Sequence, residues 1–288
     1  MFVGLPNSGK STFIAALWHL LDSAEVESAY AISTRPENRE YLNLLRAAWL
    51  ECKAPERTKT DTFEQIVLNI ENKTNSVVAD FIFPDVSGEM FESQFEYRKL
   101  TREYFEQISQ SNLIMLFVNP DFITKSNLIS TVDAMLPDSQ ANYSKNTDFA
   151  QNNLNISADY PWQVKQSQTQ VKLVDILQIA LRQIKKPSRI AVIVSAWDEI
   201  TSIPDPDLAS VLPSEWLSRE LPLLDQFLTT NHEAFSFEVF GVSAQGAKYK
   251  ADNTKLHEKM KPSERVIVQW KNGKTNDISM PIKWILND

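Results

Sequence analysis

The sequence predicts an α/β fold, a three-layer sandwich whose sheet is mostly parallel with one antiparallel hairpin strand. Three observations carry this reading. Apolar runs of strand length, Leu113–Val118, Arg189–Ala196 and Ser236–Ala244, alternate with segments of helical periodicity. The run Leu113–Val118 is apolar at every position, as a strand covered on both faces of a parallel sheet requires. Two further runs, Phe63–Ile70 and Val77–Phe83, are separated only by ENKTNS, too short for a parallel crossover and suited to a hairpin.

The elements follow in order. Met1–Val3 reads as a first strand shorter than the usual five or six residues or so, as expected of a truncated strand or of a chain that starts further upstream. A glycine-containing loop follows, and then Thr12–Leu21, with apolar residues at helical spacing. A second helix is expected from Pro36, a favourable first-turn residue, through Leu50. After the threonine-rich stretch Glu56–Thr62 and the hairpin, Glu89–Gln107 reads as one charged helix leading to Leu113–Val118. Asp138–Gln170, rich in Asn, Ser, Gln and Asp, reads as a polar loop insertion. Helices over Val171–Lys186 and Ser214–Thr230 then alternate with the remaining strands. An Asn272-Gly273 turn signal, with positive φ expected at Gly273, precedes the apolar Met280–Leu286. There is no internal repeat, so 1–288 reads as a single domain with an insertion at 138–170 and a C-terminal hairpin and helix extension at 263–288.

Composition narrows the function. A net charge of −8 is poorly suited to coating nucleic acid or an anionic membrane. Cys52 is the only cysteine, which excludes an internal disulfide and a Cys-rich metal site and fits a reducing, cytoplasmic compartment. His19, His232 and His257 are too scattered for a zinc or triad spacing. The longest apolar runs are about a third of the ~20 residues a membrane span needs, and Asn7, Ser8 and Lys10 interrupt any secretory signal.

The chemistry begins at Gly4-Leu5-Pro6-Asn7-Ser8-Gly9-Lys10-Ser11, which fits G-x4-G-K-[ST] at every position. Glycines let the backbone curl so that successive N–H groups face a phosphate at a helix N-terminus. Gly4, Asn7, Ser8, Gly9, Lys10, Ser11 and Thr12 are the expected cradle, with Lys10 reaching the β- and γ-phosphates and the Ser11 hydroxyl ligating Mg²⁺. The chain has six glycines, and Gly4, Gly9, Gly88, Gly241 and Gly246 all fall in segments assigned to this site. Asp85-Val86-Ser87-Gly88 follows the hairpin's second strand. Asp85 is placed to hold Mg²⁺ and the Gly88 N–H to meet a γ-phosphate.

This order of phosphate loop, hairpin and D-x-x-G resembles the translation-factor-related (TRAFAC) class of P-loop GTPases, and the resemblance implies the P-loop NTPase form of the sandwich. Ser195-Ala196-Trp197-Asp198 sits where that class carries [NT]-K-x-D, and Ser243-Ala244-Gln245 resembles its S-A-x loop. The four motifs span residues 4–245. The resemblance implies GTP/GDP and Mg²⁺, with Asp198 reading guanine and Ser195, Ser243, Ala244 and Gln245 supporting the base. Ala196 replaces the family lysine, and Trp197 either stacks on the base or packs into the core. Switch I is expected to supply a threonine to the metal, Thr60 ahead of Thr58, with Thr62 competing. Glu89 stands where relatives orient the attacking water, although it is equally the first acidic residue of a helix. Arg98 and Arg102 lie in the right segment for a catalytic arginine, without either being singled out.

The runs APERTKT, DVSGEMF, SAWD and MPIKWIL are similar to the bacterial double-GTPase branch of that class. That branch is associated by gene context with conflict or defence systems. It implies a slowly GTP-hydrolysing switch acting through a protein effector or activator, with no nucleic acid, no membrane span and an open oligomeric state. Two other readings compete, a nucleotide-binding scaffold without useful hydrolysis and a P-loop ATPase.

Overall fold

The structure is a computed structural model and describes residues 1–54, 65–84, 88–125, 164–184, 188–247 and 261–286. In chain order the elements are β1 (Phe2–Gly4), α1 (Lys10–Ser23), β2 (Tyr30–Thr34), α2 (Arg39–Leu50), β3 (Gln65–Asn72), β4 (Val78–Pro84), α3 (Gly88–Tyr97), α4 (Arg102–Gln110), β5 (Leu113–Val118), α5 (Thr169–Gln183) and β6 (Ser188–Ser195). They continue with α6 (Trp197–Thr201), α7 (Pro206–Ala209), α8 (Pro213–Glu220), α9 (Pro222–Thr230), β7 (Phe235–Ser243), β8 (Ile267–Trp270), β9 (Gly273–Thr275) and α10 (Met280–Leu286).

The main sheet has the order β1-β5-β6-β7-β8-β9. Its first four strands are parallel, with Phe2 opposite Met115, Leu116 opposite Val192, and Val192 opposite Val239. β8 and β9 continue it antiparallel. Strand β5 shows why its sequence is apolar throughout. Met115 and Phe117 join one core cluster with Phe13, Leu17 and Trp18 of α1, whereas Ile114, Leu116 and Val118 join another with Leu177 of α5 and Leu217 of α8. Helices therefore cover both faces, and the expected three-layer α/β sandwich is present.

The hairpin β3–β4 is antiparallel as expected, with Ile66 opposite Phe83 and Ile70 opposite Ala79. It belongs to a separate three-stranded sheet, completed by β2, which the sequence reading missed. β4 lies against β1 through aromatic rings, Phe2 being 4.0 Å from Phe83 and 6.3 Å from Phe81 between centroids.

Two expected helices are each broken in two. The Glu89–Gln107 segment divides at Arg98, which takes a left-handed φ of 54°, and α4 restarts with the Thr101 hydroxyl accepting from Tyr104 N at 3.2 Å. The Ser214–Thr230 segment divides at Pro222, which disfavours helix at Leu221 and then opens α9. The Asn272-Gly273 turn joins β8 to β9, but Gly273 has no positive φ. It is already the strand residue paired with Trp270, which leaves Lys271 and Asn272 as the turn. Of the polar segment 138–170, residues 138–163 lie outside the described residues, and α5 opens at Thr169. Among the described residues no helix is long and apolar enough to cross a membrane.

Candidate functional site

Strand β1 delivers the chain into a tight loop that ends at the N-terminus of α1. Asn7 (φ 59°) and Gly9 (φ 91°) take left-handed backbone, and Phe13 N donates to Gly9 O at 3.0 Å to close the first helical turn. Neither fixed glycine tolerates a side chain. A Cβ on Gly4 would lie 2.7 Å from Ser8 Oγ and 2.8 Å from Phe117 O, and one on Gly9 would lie 2.7 Å from Ser195 Cβ. Asn119, the first residue after β5, anchors the loop from outside: its Nδ2 donates to Asn7 O at 2.9 Å while its Oδ1 accepts from Asp121 N at 3.1 Å. The sequence reading passed over Asn119. Its signal was a polar residue directly after an all-apolar strand, at the carboxyl end where open α/β sheets bind ligands.

Lys10 folds back over the loop. Its Nζ donates to Gly4 O at 2.7 Å, Ser8 Oγ at 2.9 Å and Leu5 O at 3.1 Å, and lies 5.9 Å from the centre of the Phe91 ring. Among the described residues its hydrogen-bond partners are neutral oxygens. Burial draws its pKa down from 10.5 to about 7. A desolvated ammonium beside a helix N-terminus, in a cradle that a single Cβ would fill, fits an arriving polyanion such as a triphosphate. Ser11 is exposed and Thr12 half-buried in the first turn of α1.

Of the expected metal ligands, Ser11 alone falls among the described residues; Asp85, Thr58 and Thr60 lie outside them, as does Thr62. The described residues contain no group of three or more His, Cys, Asp or Glu side chains that could hold a metal. Gly88 and Glu89 open α3, the helix that brings Phe91 to Lys10. Arg98 forms an ion pair with Asp175 on α5, and Arg102 pairs with Glu106 at 2.9 Å, so both arginines are engaged on the surface.

The S-A-W-D segment turns the corner at the end of β6. The Ser195 hydroxyl donates to Val118 O at 3.2 Å, and its side chain sits where a Gly9 Cβ would be. Ala196 then takes a left-handed φ of 48° and α6 begins. This twist sends Trp197 into the core, 1% exposed, where its Nε1 donates to Gln269 Oε1 at 2.9 Å and its ring meets Trp216 edge-on at 6.4 Å. Trp197 is therefore a core residue. Gly241 serves it directly, since a Cβ there would lie 2.3 Å from the indole, which corrects the reading of Gly241 as a ligand-approach glycine.

Asp198 is half-buried, and its Oδ1 accepts a hydrogen bond from the Ser243 hydroxyl. That hydroxyl accepts in turn from Gly246 N at 3.1 Å, so its single proton is directed at the carboxylate. The S-A-Q loop rests on α2: Trp49 Nε1 donates to Ala244 O at 2.8 Å, and Gln245 Nε2 donates to Trp49 O at 3.3 Å. The Arg265 guanidinium stacks 4.1 Å from the Trp49 ring and bonds Trp49 O at 2.7 Å. Gly246, at φ 89°, passes so close to Arg265 that a Cβ would lie 2.7 Å from Arg265 O. The side chains of Ser195, Ser243, Ala244 and Gln245 are thus buried supports, whereas Asp198 retains partial exposure. Chemically, the arrangement offers a cationic, N–H-rich cradle for phosphate and an oriented carboxylate acceptor on a neighbouring strand end.

Comparison with known proteins supplies a family. A family model described as Double-GTPase 1 matches residues 1–285. No curated protein and no solved structure matches the chain. With its glycine cradle, its lysine and its paired S-A-W-D and S-A-Q corners on one sandwich, the chain belongs to the Double-GTPase 1 family, whose name marks it as a GTP-binding GTPase.

Proposed function

We propose that this protein is a molecular switch that binds GTP and GDP, hydrolyses GTP slowly and is read by a protein partner, in the setting of a bacterial conflict or defence system. The observation that carries the reading is the Asp198–Ser243–Gly246 relay. It ties together two corners 45 residues apart, and the first of them touches the phosphate loop through Ser195 and Gly9. A carboxylate held there accepts the N1–H and N2 amine donors of guanine. Adenine lacks that donor pair and would leave the half-buried carboxylate without the two hydrogen bonds that guanine supplies.

Lys10 and the backbone N–H groups between Asn7 and Thr12 receive the phosphates, with Gly4 giving the loop room to curl. Ser11, with Asp85 and Thr60 or Thr58, would hold Mg²⁺, which when bound offsets phosphate charge. The Gly88 N–H faces the γ-phosphate, and Glu89 orients or weakly activates the attacking water. Without an activator such a domain turns over on the order of 10⁻⁴–10⁻² per second.

Titration with fluorescent GTP and ATP analogues in Mg²⁺, with Lys10→Ala as the blank, tests this. The expected result is a guanine preference of about tenfold or more, roughly 1.4 kcal/mol, that disappears in Asp198→Asn. Equal or adenine-favoured binding overturns the role of Asp198 and leaves an ATPase reading. Single-turnover hydrolysis then separates a switch from a non-hydrolysing scaffold.

A further inference from the structure

α3 begins at the D-x-x-G glycine and ends at Tyr97, and beyond that end lies a cleft of about 410 Å³. This is within the range of ligand-sized clefts, about 300–1,000 Å³. Arg98 and Leu100 of the α3–α4 corner form one wall. Asp175, Gln178, Ile179 and Arg182, a stripe along one face of α5, form the other.

The charge of this cleft is opposite to that of the chain, which carries −8 overall. Two guanidiniums face one carboxylate, and that carboxylate is bonded to Arg98. The Arg98–Asp175 bond uses one Nη1 of a group with five N–H donors, so most of its donor capacity is uncommitted to Asp175. Arg182 is exposed and forms no ion pair among the described residues. Lys99 and Glu96, both exposed beside the corner, offset each other. The next cation along α5 towards its N-terminus, Lys172, is already matched by Glu92 at 3.5 Å. Leu100 and Ile179 supply a half-buried apolar floor.

Spacing defines the occupant. Asp175 holds the Arg98 head at its own level on α5, and Arg182 lies seven residues on, about 10 Å along the helix axis. An extended peptide covers that distance in about three residues. We propose that this cleft docks an extended acidic segment of a partner protein. Two of its carboxylates, four positions apart so that both face the cleft, engage Arg98 and Arg182, whose long side chains close the small difference in span, and the apolar side chain midway between them on that face rests on Leu100 and Ile179. Bidentate arginine–carboxylate geometry and burial of the intervening side chain would supply the affinity. The assignment concerns the cleft alone and stands apart from the nucleotide reading.

Selection of displayed random dodecapeptides against the full chain, followed by fluorescence anisotropy with fluorescein-labelled winners, tests it. Enriched peptides should carry paired acidic residues flanking an apolar one. They should bind Arg182→Glu at least tenfold more weakly, while its unfolding midpoint and nucleotide binding stay unchanged. Versions with lysine in place of the acids should reverse this order and favour Arg182→Glu over the parent, which a merely structural role for Arg182 would not produce. Absence of enrichment, enrichment without acidic bias, or equal binding to parent and variant overturns the proposal.

Discussion

Lys10 shows how strongly one residue's chemistry depends on what surrounds it. With only neutral acceptors near it among the described residues, its pKa stands at about 7. A bound triphosphate stabilises the charged form, so above about pH 7 binding must take up a proton. Nucleotide affinity is therefore expected to fall as pH rises from about 7, by up to about tenfold per unit. Lys10→Arg, charged throughout, should flatten that slope. Calorimetric titration in two buffers of different ionisation enthalpy counts the proton directly, and a pH-independent affinity in the parent would refute the argument. In the proposed reading Ser243 serves the base rather than the phosphates, through its bond to Asp198. Ser243→Ala removes a hydrogen bond to a charged group, worth about 1.5–3 kcal/mol, and leaves the phosphate loop intact. Guanine-over-adenine preference should drop by roughly tenfold with ATP affinity unchanged, as read by the same analogue titration.

At the scale of elements, the β6–α6 corner and the β7–β8–β9 ribbon are fitted to each other through Trp197. The left-handed turn at Ala196 aims the indole across β7, and Gly241 is the gap that receives it. Gly241→Ala would drive a methyl into that ring, and overpacking of this kind typically costs about 1–3 kcal/mol. Gly273→Ala provides the contrast: a Cβ there meets nothing nearer than 3.6 Å, at the Trp270 ring, and φ is not positive. Urea denaturation should show a clear loss of midpoint for the first variant and a change within about 0.5 kcal/mol for the second. Equal losses would mean that the gap beneath Trp197 is not what Gly241 provides.

Across the whole molecule, a polar network ties α1, α2 and the 262–265 turn together. Arg46 Nε donates to His19 Nδ1 at 3.0 Å and its Nη1 bonds Asp22. His19 Nε2, left with the proton, lies 3.0 Å from Glu25 Oε2, and that oxygen accepts from Ser263 N at 3.0 Å. Burial lowers the His19 pKa from 6.5 against the opposing pull of Glu25. The unfolded chain therefore binds a proton at His19 before the folded one does. The stability associated with neutral His19 is complete above about pH 6.5 and lost as pH falls below it. Denaturant midpoints measured downward from pH 7 should decline through that window, and less steeply in His19→Gln. The turn that carries Ser263 also carries Arg265, which stacks on Trp49 beneath the S-A-Q loop. The network therefore borders the S-A-Q loop.

Much of this molecule is legible from neighbouring residues. The phosphate loop is eight consecutive positions, and its geometry follows from two glycines and a helix start within that stretch. The parallel strands declare themselves because burial on both faces demands an apolar residue at every position, as in Leu113–Val118. The hairpin declares itself by the brevity of its turn. Other features depend on partners distant in the chain. β2 is visible only once β3 offers it an edge, and Asn119 matters only because β5 ends beside Asn7. No local pattern reveals that Gly241 makes room for Trp197, or that Gly273 is already paired within a strand. The sequence by itself determined the cradle, the layer order and the residue types at each corner, since those rest on periodicity and adjacent spacing. Only the tertiary structure decided that Trp197 turns inward while Ser243 takes hold of Asp198. Those choices depend on the parallel registry of β6 and β7, which sets which side chains meet across 45 residues of chain.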